Sequence, residues 1–171
     1  MTTIRDAVIE DIPLIRRLAQ DIWPATYSEL LSPEQLQYML ELFYSPTALD
    51  TQMREGHRFL ILEEDHVPQG FADFSEIDPP GTIKLHKLYV LPTGQGKGWG
   101  RQLLGQVIRL SEALEAHAIQ LQVKRDNKAR HFYEKMGFRV LHELDLEIGN
   151  GYYMRDYIMQ YDLSTPTDGS A

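Results

Sequence analysis

The sequence contains no cysteine. That excludes a disulfide framework, a thiol nucleophile and a thiolate metal site. It also lacks any run of the ~18 apolar residues that a membrane-spanning helix requires. Met1 to Asp11 alternate charge with short apolar stretches and hold no apolar core of a secretory signal. The expectation is a soluble, cytoplasmic chain with no membrane partner. Positive charge is in deficit, for a formal net charge of −8. A negative surface repels a polyanion, so nucleic acid is not an expected partner. The six histidines show no pair with an acid at metal-ligand spacing, so no metal is expected.

What is present suits one compact domain. The 171 residues are 43% hydrophobic and 25% charged, enough to bury a core without covalent staples. The expected domain runs over 1–163. Residues 164–171 are rich in Ser, Thr, Pro, Asp and Gly and read as a disordered tail. The charge is unevenly spread. Between Lys84 and Lys135 lie ten basic and four acidic residues, a net of +6, while the remainder carries −14. A basic segment in an acidic chain suits an anionic ligand there and a cationic one elsewhere; chance clustering on solvated faces explains it equally.

The hydrophobic period gives the element order. Thr3 to Asp6 reads as a strand, and Ile12, Ile15, Leu18 and Ile22 recur at helical spacing. Ser32-Pro33 with Gln35 reads as a helix start, with an apolar face of Leu36, Met39, Leu40 and Phe43. A short helix is expected from Ser45-Pro46 to Gly56. The period then changes to two over Arg58–Glu63 and Gln69–Glu76, with Glu64 to His66 as the turn. Thr82 to Leu91 forms the next strand. Its alternation directs Ile83, Leu85, Lys87 and Tyr89 one way, and Lys84, His86, Leu88 and Val90 the other. A helix follows through Trp99, Leu103, Leu104, Val107 and Leu114. Then come a strand over Ile119–Val123, a helix over Asn127–Met136, and two strands over Phe138–Ile148 and Tyr152–Tyr161. This order predicts an α/β fold, a mixed, mostly antiparallel twisted sheet of about six to seven strands flanked by helices.

Gly94, Gly96, Gly98 and Gly100 alternate between the end of a strand and the start of a helix. Without Cβ atoms, backbone N–H groups there can converge on a phosphate. The helix terminus adds partial positive charge, and Lys97 and Arg101 add full charges. A dinucleotide fingerprint fails, because its third glycine position is Leu103 and Gln120 and Gln122 occupy the region of its acidic residue. A P-loop fails because Gly96-Lys97 is followed by Gly98.

The remaining pattern is Gln95-x-x-Gly98-x-Gly100 preceded by Leu88-Tyr89-Val90-Leu91-Pro92. It resembles the acetyl-CoA-binding motif of the GNAT superfamily of N-acetyltransferases. A second block, Asn127 to Phe138 with Phe132-Tyr133 and Gly137-Phe138, is similar to the later helix of that family; Asp126 or Asn127 takes the family's Asn position. The ending, Gly149-x-Gly151-Tyr-x-Met with Asp156, is similar to a bacterial branch that includes polyamine acetyltransferases. The resemblance extends over about Ile4 to Leu163.

The resemblance implies that acetyl-CoA binds as acyl donor through Gln95, Gly96, Lys97, Gly98, Trp99, Gly100 and Arg101. Its pantetheine arm would run beside Leu88, Tyr89 and Val90, and Asn127 and Lys135 would contact it or the phosphates. Tyr133 matches the family's general acid; a phenol with pKa ~10 still carries its proton at neutral pH. An alkylamine near pKa ~10.4 must lose a proton before it attacks. His86 is the candidate base, since imidazole titrates near neutrality, with Glu76 and Asp73 as alternatives. Trp23, Tyr27, Tyr38 and Tyr44 are candidates for the wall of the acceptor site, with Trp23 and Tyr27 foremost, although ordinary core packing explains most of them. The expected partner is a small-molecule amine, with a homodimer as one option. Acetylation of a protein N-terminus or lysine, or a non-catalytic acyl-CoA sensor, are the competing readings.

Overall fold

The computed structural model describes residues 1–94 and 96–163. The expected tail, 164–171, and Gln95 of the glycine loop lie outside the described residues. Seven strands and five helices appear among the described residues. They are β1 (Thr2–Asp6), α1 (Ile12–Tyr27), α2 (Pro33–Tyr44), α3 (Pro46–Arg54), β2 (Arg58–Glu64), β3 (Val67–Ile77) and β4 (Thr82–Val90), then α4 (Trp99–Ala113), β5 (Ala118–Lys124), α5 (Ala129–Lys135), β6 (Arg139–Gly149) and β7 (Tyr152–Asp162). The sheet order is β1-β2-β3-β4-β5-β7-β6. β4 and β5 pair in parallel because α4 carries the chain back between them. The β1–β2, β2–β3, β5–β7 and β6–β7 pairs are antiparallel. No helix among the described residues is long and apolar enough to cross a membrane.

Contacts divide the chain into two compact units, 1–75 with 87–105, and 76–86 with the residues from 106 on. In the first unit β2 is buried on both faces, with Phe59, Leu60, Ile61 and Leu62 all inside. α1 buries Ile12, Ile15, Leu18 and Ile22, the helical stripe read from the sequence. The Arg5 guanidinium grips both oxygens of Asp11, at 2.9 and 3.0 Å, and ties β1 to the start of α1. That cation holds the Asp11 carboxyl below its ordinary range. Ser32 and Ser45 cap α2 and α3 through the N–H groups of Gln35 and Ala48, each at 3.1 Å.

In the second unit the sheet has two different faces. Ile83, Leu85, Ile119, Leu121, Val123 and Met159 form a buried apolar face. The opposite face carries Lys84, His86, Gln120, Gln122, Lys124, Asp156 and Gln160, as the strand registers dictate.

Several boundaries differ from the sequence expectation. The helix expected over Asn127–Met136 begins at Ala129, whose N–H is taken by the Asn127 side chain at 2.9 Å in the turn before it. α4 stops at Ala113 and leaves Leu114 61% exposed, off the apolar stripe. β6 starts at Arg139, since Phe138 turns inward onto Tyr133 and Tyr161. β3 begins at Val67 rather than Gln69, and β2 includes Glu64, because Asp65 and His66 alone close the hairpin with φ of 50° and 69°. β4 ends at Val90, one residue early, where Pro92 starts a 3₁₀ turn.

β3 meets the end of β4 at Gly70. A Cβ there would lie 2.6 Å from the Tyr89 carbonyl oxygen and 2.8 Å from Val90 Cγ1. The first neighbour is backbone, so the strand itself must move to admit it. Gly70→Ala is therefore expected to destabilise by about 1–3 kcal/mol. Urea denaturation checks this as a lowered midpoint with an unchanged slope.

Candidate active site

The turn between β4 and α4 uses its glycines in two ways. Gly96 and Gly98 have φ of 81° and 76°, and no atom lies within 4 Å of where a Cβ would sit. Both are exposed, so the backbone is bare to a ligand. Gly94 is buried, and a Cβ there would fall 2.2 Å from the Trp99 ring. Trp99 itself is 3% exposed, so its indole packs the loop from below and only its backbone remains for a ligand. The Gln102 N–H reaches the Gly98 carbonyl at 3.0 Å and opens the helical ladder. The first-turn N–H groups of Trp99, Gly100 and Arg101 have no acceptor within the helix. With the terminal dipole they form an anion cradle. The Lys97 ammonium stands 5.1 Å over the Trp99 ring, and Arg101 is exposed in the first turn of α4.

The end of β4 is held by aromatic packing in the same unit. The Tyr27 and Tyr89 hydroxyls share a hydrogen bond of 2.9 Å. Trp23 stacks its ring 4.7 Å from Tyr27, 5.6 Å from Tyr44 and 5.7 Å from Tyr89. Trp23, Tyr27 and Tyr44 are buried, at 4%, 9% and 3% exposure, and Tyr38 is half-buried. Of these candidates for an acceptor wall, Trp23, Tyr27 and Tyr44 lie among the buried residues of the first unit. Burial pushes the Tyr44 phenol well above its ordinary range and keeps it protonated.

Beside this cluster lies a buried ion pair that the sequence reading did not anticipate. Lys87 Nζ donates to Asp73 Oδ2 and to Gln52 Oε1, each at 2.8 Å. It also stands 5.5 and 5.3 Å over the rings of Tyr44 and Phe59. His57 Nδ1 lies 2.9 Å from both Asp73 oxygens. Asp73 is wholly buried and holds the Lys87 ammonium and the His57 ring. Glu76 is exposed and accepts the Gly81 N–H at 2.9 Å.

In the second unit Tyr133 sits on α5 at 8% exposure, edge-on to Phe132 and Phe138 at 5.2 and 5.6 Å. His86 is half-buried on β4, on the polar face with Lys84. Asn127 is half-buried and bonded to the Ala129 N–H while Asp126 is exposed, so Asn127 is the residue turned onto α5. Lys135 is exposed in the last turn of α5. Leu88 is half-buried on β4, as are Tyr89 and Val90.

The glycine cradle and the α5 block fall within one family pattern. The model of the Acetyltransferase (GNAT) family matches residues 12–138. The chain belongs to that family. Among curated relatives of this acetyltransferase is the [ribosomal protein bS18]-alanine N-acetyltransferase of Haemophilus influenzae, 34% identical over 101 residues, or 58% of this chain. The chain spans 64% of that enzyme's length. The L-amino acid N-acyltransferase MnaT of Escherichia coli is 30% identical over 68% of this chain and 70% of its own. The crystal structure of the PaiA N-acetyltransferase of Thermoplasma acidophilum in complex with coenzyme A superposes with a TM-score of 0.81. It is 26% identical and covers 95% of this chain and 99% of that one.

In this acetyltransferase the Lys87–Asp73 pair should behave as a buried structural ion pair. Lys87→Met takes the ammonium away from the buried Asp73 carboxylate and is expected to cost about 3–5 kcal/mol in urea denaturation. Adding Asp73→Leu should recover most of that loss, since an apolar pair of similar volume carries no desolvation cost.

Proposed function

We propose that this chain transfers the acetyl group of acetyl-CoA to a primary amine by direct attack within a ternary complex. The observation that carries this reading is the bare, left-handed backbone at Gly96 and Gly98 feeding the N-terminus of α4 beneath Lys97 and Arg101. It suits a pyrophosphate, and the two patterns that would take other phosphate ligands are missing. The pantetheine arm pairs with the backbone of Leu88, Tyr89 and Val90 as an added strand. The N–H near Val90 donates to the thioester oxygen as negative charge grows there. Asn127 and Lys135 supply further contacts to the cofactor.

The amine arrives protonated. His86 removes a proton from it, and the neutral nitrogen attacks the thioester carbon. Sulfur leaves with the bonding pair and takes a proton from the Tyr133 hydroxyl. That transfer, from a phenol of pKa ~10 to a thiolate whose acid has pKa ~8.5, is uphill by itself and is completed as Tyr133 regains a proton from the nitrogen that becomes the amide. The acceptor is a small cationic amine such as a polyamine. The excess of acid outside the basic central segment supports a cationic acceptor. A second reading, acetylation of a protein N-terminus, is supported by the likeness to the H. influenzae enzyme named for an alanine of ribosomal protein bS18.

Free-thiol release from acetyl-CoA tests both readings, with spermidine, L-methionine and an alanine-initial peptide as acceptors. Release with spermidine favours the first reading, and release with the peptide alone favours the second. CoA binding without release for any amine would refute catalysis. Tyr133→Phe is expected to lower kcat by about 100-fold while CoA affinity stays within about twofold. Unchanged turnover would remove Tyr133 from the mechanism.

A further inference from the structure

The polar face of the second unit carries a carboxylate that the roles above leave unused. Asp156 lies on β7 at 3% exposure. Strand register places it opposite Lys124 of β5 and Leu144 of β6. Lys84 Nζ donates to Gln122 Oε1 at 2.7 Å, and Gln122 Nε2 donates to Asp156 Oδ2 at 3.3 Å. That long bond is the contact that holds the carboxylate, and no cation forms an ion pair with it among the described residues. The charged groups around it are Lys84 on β4, Lys124 on β5 and Arg125 in the following turn. Arg125 is committed to Glu143, at 2.9 Å, and to Asp145.

A buried carboxylate kept for stability is normally paired or bonded several times over. Asp156 is neither. Burial holds its carboxyl above the ordinary aspartate range, against the opposing pull of Gln122, Lys124, Arg125 and Lys84. Its partner through Gln122, Lys84, stands two residues before His86 on the same face of β4, about 7 Å along the strand.

We propose that Asp156 is a proton acceptor for the acceptor amine, on the same face as His86; this rests on the acetyl-transfer reading above. One N–H bond of the ammonium breaks and an O–H bond forms on the Asp156 carboxylate, directly or through one water. The freed lone pair forms the C–N bond at the thioester carbon. The C–S bond breaks with its electrons on sulfur. Tyr133 protonates that thiolate and regains a proton from the nitrogen as it becomes an amide. Asp156 then returns its proton to solvent. Burial strengthens the hold of the carboxylate on a proton, while Lys84 and Lys124 weaken that of a nearby ammonium and partly oppose the burial effect at Asp156.

Asp156→Asn separates this role from a structural one. A folded-state pKa above the unfolded value contributes stability below the ordinary aspartate range and loses it as pH rises through the raised value. Wherever it is ionised, the buried carboxylate is therefore a burden on the fold, and an asparagine still accepts from Gln122. The expected result at pH 7 is an unchanged or higher Tm and CoA affinity within about twofold of wild type. With the best acceptor among spermidine, L-methionine and an alanine-initial peptide, kcat/KM should fall by about 100-fold. The acid side of the pH profile should flatten, and Asp156→Glu should recover part of the rate. His86→Gln, run alongside, gives the share of the other base. Wild-type kcat/KM and pH profile in Asp156→Asn would overturn the proposal, as would a loss of rate that tracks a fall in Tm. Wild-type protein silent with all three acceptors marks failure of the acetyl-transfer reading instead.

Discussion

The buried contact between Lys87 and Asp73 is the interaction on which the end of β4 depends. A lysine at 8% exposure is tolerable only because Asp73, Gln52 and two aromatic rings receive its charge. Those partners come from β3, from α3, from α2 and from β2. One ammonium therefore pins the strand to four elements of its unit. Tyr89, two residues on, is fixed from the same side by its hydroxyl bond to Tyr27 and from the edge by the close approach of Gly70. The chain consequently enters the glycine loop from a rigid strand end, which is what a backbone cradle needs to hold its N–H groups in fixed directions.

The loop divides its glycines between packing and exposure. Gly94 exists to let the Trp99 indole under the turn, while Gly96 and Gly98 leave the upper side open in a conformation that a side chain would strain. Membership of the GNAT family fits that arrangement. What the loop offers a phosphate is mainly backbone and dipole, to which the exposed Lys97 and Arg101 add side-chain charge.

The second unit holds its charges under different rules. Its apolar face buries aliphatic side chains with no polar cost. Its polar face is knit by amides, with Gln120 donating to Gln160 at 2.8 Å beside the Lys84–Gln122–Asp156 run. Within that network burial opposes the charge of Asp156. Lys87 and Asp156 are thus contrasting cases. The first is a buried charge made comfortable, and the second is one left uncomfortable, a condition that raises its appetite for a proton.

The sequence by itself determined the element order and the family. The periods of 3.6 and two, the serine caps before Pro33 and Pro46, and the alternating glycines are all local, and local chemistry enforces them. The faces of β4 were legible for the same reason, since alternation alone puts Lys87 with Ile83, Leu85 and Tyr89. Only the tertiary structure decided what those faces meet. Asp73 finds Lys87 across 14 residues, and Gln122 finds Asp156 across 34. Such meetings follow from strand register and from β7 inserting between β5 and β6, which no short stretch of sequence encodes. The aromatic residues Trp23 and Tyr27 illustrate the same limit. Their chemistry suits a cation site or a core, and only the tertiary structure shows that both are buried. The glycine alternation was legible locally, but only the packing of Trp99 separates the buried Gly94 from the bare Gly96 and Gly98.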